Sequence, residues 1–264
     1  LVEAGLGTFP ELVQAIGDCT SFSAGHGVIT LACTEIAKNG EFESFDKGGI
    51  STEFIYACSR VLIGNGQLGN QDGSMGAWTV AGLQKYGTLK RQKYNNIDLT
   101  TYDPNKARQW GSPRSGPPKD LIPIAQKNKI RTYSLVETVE QAVNGIHNGY
   151  PVLFCSGQGF TTKRDSDGFL KPQGSWPHAM CAIAQDTEYK RPGILIENSW
   201  PRGWCSGPTR HEQPSGSFWV DLDTIRRMIS ERDTFIISDY DGYPAKDIDW
   251  QVFAEAQKKA KEYK

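Results

Sequence analysis

The sequence predicts an α+β protein, helical in its first part and strand-rich in its second, with the strands forming a barrel-like lobe. Three observations carry that expectation. Apolar patterns with helical spacing crowd residues 19–87, and short apolar runs broken by Gly, Pro or charge fill residues 130–221. Between them, 98–120 is rich in Pro, Gly, Ser and charge. At 264 residues the chain can bury a sizeable core, as one large domain or as two lobes sharing an interface.

The first helix is expected from Cys19 toward Asn39-Gly40, with Val28, Leu31, Cys33 and Ile36 on a buried face and Gly25 and Gly27 as weak points. Ser51 offers an N-cap to a second helix that runs to about Ile63; Phe54 stands where a full capping box needs Glu or Gln. GSMGAWTVAGLQKYG reads as a third helix, ended by Gly87. The 98–120 stretch, DLTTYDPNKARQWGSPRSGPPKD, is expected to be a long surface loop that carries the chain between lobes. After it, IRTYSL predicts a strand, VETVEQAVNGIHNG an amphipathic helix ending at Gly149, and PVLFCSG a buried strand. HAMCAIAQD, GILIENSW and GSFWVDL supply further short apolar runs. The tail DIDWQVFAEAQKKAKEYK predicts an amphipathic helix over 246–262 with a basic end. These expectations place a helical lobe at 10–97, a connector at 98–120 and a β-rich lobe at 121–240, all within one domain spanning 1–264.

A formal charge of −1, from 29 basic and 30 acidic residues, gives no global field toward nucleic acid or anionic lipid. No apolar run approaches the roughly 20 residues needed to cross a bilayer, and LVEAGLGTFPELV lacks the basic start and apolar stretch of a secretory signal. The expectation is a soluble chain, cytoplasmic or virion-associated. The six cysteines include no CxxC pair, which argues against a zinc knuckle or a thioredoxin-like motif. Cys33, Cys58, Cys155 and Cys181 read as small buried hydrophobes.

Cys19 differs from these because GDCTSFSAG places its thiol where a loop becomes a helix. Thiolate chemistry needs an acidic Cys, an imidazole and a group that orients the imidazole. The chain offers them in the order Cys19, His178 in SWPHA, and Asn198 in ENSWPRGW. A helix N-terminus and a nearby imidazolium lower a thiol pKa, which would keep thiolate available near neutral pH. Gly17 would let substrate pass close to the backbone, and the Cys19 amide could donate to a developing oxyanion. Asp18 opposes thiolate formation unless its carboxylate points away. His26, His147 and His211 lack a comparable setting.

These residues resemble the papain-like cysteine peptidases. Cys19-Thr20-Ser21-Phe22-Ser23-Ala24 is similar to the family's Cys-Trp-Ala-Phe-Ser-Ala, and Asn198-Ser199-Trp200 repeats its Asn-Ser-Trp motif. Asp72-Gly73-Ser74-Met75-Gly76-Ala77-Trp78 resembles its glycine-containing cleft wall. His178 follows Cys19 by 159 residues, beyond the roughly 130–150 of papain and cathepsins, so the resemblance requires an insertion, for which 98–120 has room. It implies a two-lobe fold with a helical left lobe and an antiparallel β-barrel-like right lobe. It further implies a cleft formed by Gly17, Gly73, Ser74, Pro177 and Trp200, with Trp200 and Trp204 shielding the His–Asn hydrogen bond. The family's oxyanion glutamine stands six residues before the nucleophile; here that position is Val13, and Gln14, five before Cys19, is the candidate. Ile16 replaces the disulfide-forming Cys of the secreted members, so a fold without that staple is expected.

The implied activity is hydrolysis of peptide (amide) bonds through an acyl-thioester on Cys19, with protein or peptide substrates and no metal or organic cofactor. Transglutaminases and arylamine acetyltransferases use a similar fold, but usually with Asp as the third member, so Asn198 favours a peptidase. Peptidoglycan amidases also use Cys–His sites, and nothing in the sequence points to glycan binding. The non-enzymatic alternative is a papain-like scaffold serving as a structural or assembly component of a virion or larger complex, of viral or bacterial source. The 98–120 and 205–216 segments and the terminal helix would then make its partner contacts.

Overall fold

The computed structural model describes residues 9–39 and 49–240; the tail expected to be helical over 246–262 lies outside them. Helix α1 (Cys19–Asn39) is followed by α2 (Thr52–Ala57), whose axis continues as a π-helical turn over Cys58–Ile63, and then by α3 (Gly76–Tyr86). The Ser51 side chain caps α2 by accepting from the Phe54 N–H. Gly87 terminates α3 with a positive φ of 74°.

The 98–120 segment is not one long loop. After a short hairpin of β1 (Lys93–Tyr94) and β2 (Ile97–Asp98), it forms α4 (Pro104–Gly111). Asp103 caps α4 through the amides of Asn105 and Lys106, and Pro104 takes the first helical position, where a missing N–H costs nothing. Ala107 and Trp110 bury one face of the helix, so the Pro- and charge-rich composition hid a capped amphipathic helix. The packing of α2 beside α4, with α5 (Ile122–Ala125) nearby, gathers Phe54, Ala57, Leu99, Trp110 and Leu121 into the core of the helical lobe.

The second half contains β3 (Ile130–Leu135), α6 (Val139–His147), β4 (Val152–Phe160), β5 (Pro172–Asp186), β6 (Gly193–Glu197), β7 (Phe218–Asp221), α7 (Leu222–Ser230) and β8 (Thr234–Tyr240). The six long strands form one antiparallel sheet in the order β3-β8-β4-β5-β6-β7. This sheet is open, which corrects the barrel-like expectation: β3 and β7 form its two edges and do not pair, whereas closure requires the first and last strands to join.

Strand alternation divides the core. Val152, Phe154, Met180 and Ala182 face α6 and α7, while Leu153 and Ile237 face α1. Each fully buried side chain of this size stabilises the fold by roughly 1.5–3 kcal/mol. Gly27, expected as a weak point of α1, is a close-approach position: a Cβ there would lie 3.0 Å from Leu153 Cδ1 and 3.2 Å from Ile237 Cδ1. Its missing side chain lets the helix settle onto the sheet.

Candidate active site

The loop before α1 is tied to the opposite lobe. The Gln14 amide donates to the Ser199 carbonyl at 2.9 Å, and the Asp18 carbonyl accepts from the Ser21 and Phe22 amides to start the helix. Cys19 is therefore the first helical residue, facing a cleft of about 500 Å³. Strand β5 supplies the facing wall, where Cys155 of β4 pairs with Ala179 and Ser156 with His178. Gly17, Cys19, Gly73, Ser74, Pro177 and His178 all line this one cleft.

His178 is only 8 % exposed. Asn198 sits just beyond β6, the neighbour of β5, and its Oδ1 lies 2.7 Å from His178 Nε2. The same oxygen accepts from the Ser199 amide at 2.8 Å. That second bond identifies the atom as the acceptor, so Nε2 carries the hydrogen and Nδ1 is the bare, basic nitrogen. Among the described residues Nδ1 has no hydrogen-bond partner. Trp200 stacks on His178 with ring centroids 4.9 Å apart, Trp176 stacks on Trp200 at 4.6 Å, and Trp204 meets Trp200 edge-on at 5.1 Å. Trp176 was not singled out by the sequence reading, although it stands two residues before His178 on the same strand and thus on the same face.

Two residues are placed differently from expectation. Gln14 does not line the cleft: its Nε2 donates to the Ile16 carbonyl at 2.8 Å and its Oε1 accepts from the Ser199 hydroxyl. Backbone pairing with Ser199 draws the carboxamide onto the Asn-Ser-Trp turn. Trp200 is not a cleft wall either, because its ring is stacked behind His178.

The electrostatics differ from a preformed thiolate. Burial raises the Cys19 thiol above its ordinary value; the Ala179 amide lowers it and Asp18 raises it further, with a net upward shift. Burial lowers His178, and its hydrogen bond to Asn198 raises it, with a net downward shift. Both directions favour the neutral Cys–His pair over thiolate–imidazolium. Asp18 is fully buried and its carboxyl is pushed up to about 7, chiefly by burial, against a lowering bond from Tyr102 Oη at 2.8 Å to Oδ2. Among the described residues its Oδ1 has no hydrogen-bond partner. His26 is also buried, pressed down to about 3 by burial, and lies against Phe9 away from the cleft.

Four cleft residues that carry chemistry fall outside the sequence motifs: Cys155, Ser156, Glu231 and Asp233. The last two lie in the turn between α7 and β8, elements that the apolar runs did not point to. Asp221, which caps the Thr224 amide at 2.8 Å, and the spacing of Leu222, Ile225 and Ile229 were the available signals for α7. All six cysteines are free thiols. Among the described residues no group of three or more His, Cys, Asp or Glu is arranged to hold a metal ion, and no helix is long and apolar enough to cross a membrane.

No family model and no curated protein sequence matches the chain. Solved structures do. Xylellain, a cysteine protease from Xylella fastidiosa, matches with a TM-score of 0.56 at 19 % identity, over 88 % of this chain and 84 % of that one. Digestive procathepsin L 3 of the Tenebrio molitor larval midgut matches with a TM-score of 0.54 at 14 % identity, over 88 % of this chain and 67 % of that one. With its helical lobe, open antiparallel sheet and cleft between Cys19 and His178, the chain has the papain-like cysteine peptidase fold.

Proposed function

We propose that the chain is a cysteine peptidase that hydrolyses peptide bonds through an acyl-thioester on Cys19. One observation carries the reading: Cys19 and His178 line the same cleft, and Asn198 holds His178 in the tautomer whose Nδ1 is a base. Because the resting pair is neutral, His178 would remove the thiol proton as sulfur attacks the carbonyl carbon. The carbonyl π electrons move onto oxygen, toward the Cys19 amide at the start of α1. Collapse of this adduct breaks the C–N bond, and His178 gives its proton to the leaving amine. Water then attacks the thioester, His178 takes a proton from it, and the thiol is restored as the acid departs.

The test is hydrolysis of a fluorogenic peptide library by the wild type and by Cys19→Ser, with mass detection of a covalent adduct formed by an epoxide-bearing peptide. Turnover and a Cys19 adduct in the wild type, both lost in the variant, are expected. Turnover retained by Cys19→Ser, or a wild type that neither turns over nor is labelled, overturns the proposal. In the latter case the second reading stands: a papain-fold component of a larger assembly. The observation that favours it is the engagement of the Gln14 carboxamide with Ile16 and Ser199, off the cleft.

A further inference from the structure

Three carboxylates line the cleft beside Cys19, and no Lys or Arg does so among the described residues. Asp72 is neutralised by Arg108 at 3.3 Å, with its Oδ2 also accepting from the Gly17 amide at 3.3 Å. Among the described residues Glu231 and Asp233 have no such counter-charge. Glu231 Oε2 is held at the rim by the Gly157 amide at 2.6 Å, and the neighbouring Arg232 reaches instead to Glu137 at 3.3 Å. Asp233 accepts from the Gly76 amide at 2.8 Å and the Ala77 amide at 2.9 Å.

Amides fix these carboxylates without cancelling their charge, although the α3 N-terminus offsets part of that on Asp233. The cradle is sterically built for it: a Cβ at residue 76 would stand 2.8 Å from both Asp233 Oδ1 and Cys155 Sγ, so only glycine fits. The opposite wall holds His178, more than nine-tenths buried, with Nδ1 unpartnered among the described residues. The cavity thus combines a reaction centre with a fixed negative wall a few side chains away.

We infer that this cleft selects peptides that present a basic side chain, Arg or Lys, beside the scissile bond, with Glu231 and Asp233 as the specificity-determining carboxylates. The inference rests on the peptidase reading. A guanidinium or ammonium reaching them would regain in charge-assisted hydrogen bonds the hydration it loses on entering the cleft, whereas an acidic side chain would meet like charge.

Two arms test it and separate its failure from that of the peptidase reading. In the first, Cys19 is modified at pH 9 by a cationic trimethylammonium thiosulfonate and by its anionic sulfonate counterpart, each rate being divided by that of mercaptoethanol. A cation-to-anion ratio of about tenfold or more is expected at low salt, the order set by a unit charge near a carboxylate at a protein surface. It should fall toward unity in Glu231→Gln/Asp233→Asn and at high ionic strength. Glu231→Gln alone, which leaves the α3 contact intact, should lose a large part of it. In the second arm, peptides carrying Arg, Leu or Glu at each of the two residues before the scissile bond are compared by kcat/KM. An advantage for Arg of about tenfold over Leu at one position, abolished in the double variant, is expected. Cleavage that favours Leu, or an Arg advantage untouched by the substitutions, overturns the inference and leaves the peptidase reading standing. If no peptide is cleaved, the peptidase reading fails and the thiosulfonate ratio alone decides: unity overturns the electrostatic claim, and a tenfold ratio upholds it.

Discussion

The two walls of the cleft are built to different degrees. On the strand wall, His178 is fixed by Asn198, its tautomer is set by the Ser199 amide, and it is roofed by Trp200, Trp176 and Trp204. On the helix wall, Cys19 begins α1 beside a buried carboxyl, Asp18, one of whose oxygens has no partner among the described residues. The strand wall is preorganised for proton transfer, while the helix wall keeps its thiol protonated. Position alone therefore does not activate a cysteine: the favourable dipole of a helix N-terminus is outweighed here by desolvation and an adjacent acid.

The largest effect should come from removing either reacting group. Cys19→Ala or His178→Ala is expected to lower kcat by at least about 10³-fold, read by single-turnover cleavage of a fluorogenic peptide. Breaking the strand wall more gently, Asn198→Ala should cost roughly 10²-fold in kcat with KM little changed, because the ring loses its orienter and its tautomer. A loss under twofold would mean that the Trp stack alone orients His178.

Gln14→Ala sharpens the comparison. Bonded to Ile16 and Ser199, Gln14 serves as a brace between the walls, so a decline in melting temperature with a kcat loss below tenfold is expected. A loss of 10²–10³-fold without destabilisation would instead identify it as an oxyanion donor that swings into the cleft.

A pH series isolates Asp18. Its folded pKa of about 7 exceeds the ordinary carboxylate value of 3.8, so the folded state binds this proton more tightly than the unfolded chain. Its contribution is fully present below about pH 4 and is lost as pH rises through 7, by roughly 4 kcal/mol at most. Asp18→Asn should remove that decline, so the variant's stability relative to wild type should grow between pH 4 and 8 in urea unfolding. An unchanged difference across that window would show that Asp18 ionises normally. Smallest of all, Trp200→Phe keeps a stacked ring on His178 and should cost about 0.5–1.5 kcal/mol of stability.

The sequence carried more of the site than of its setting. Cys19, His178 and Asn198 were legible because each lies in a short motif whose chemistry constrains residue type. The helices α1, α3 and α6 were legible from apolar spacing and terminal glycines. Helix α4 was not, since Pro104 and the charges of PNKARQWG look like loop composition until Asp103 is seen as a cap and Trp110 as an anchor. Strand pairing was beyond reach for the open sheet, because the order β3-β8-β4 joins segments that lie far apart in the chain, as in the pairs Ile130–Tyr240 and Phe154–Thr234. The acidic side of the cleft was invisible for the same reason: Glu231 and Asp233 share a cleft with Cys19 only through long-range packing, including that of α3 against β8.

The most direct measurement of the difference between the walls is the pH dependence of Cys19 alkylation by iodoacetamide, followed by peptide mass analysis from pH 5 to 10. A neutral resting pair predicts negligible labelling at pH 5–7 and a rate that climbs above pH 8 without an earlier plateau. In Asp18→Asn the rise should begin at lower pH, because an adjacent negative charge is gone. A rate already on a plateau at pH 5–7 in the wild type would mark a preformed thiolate–imidazolium pair and contradict the account.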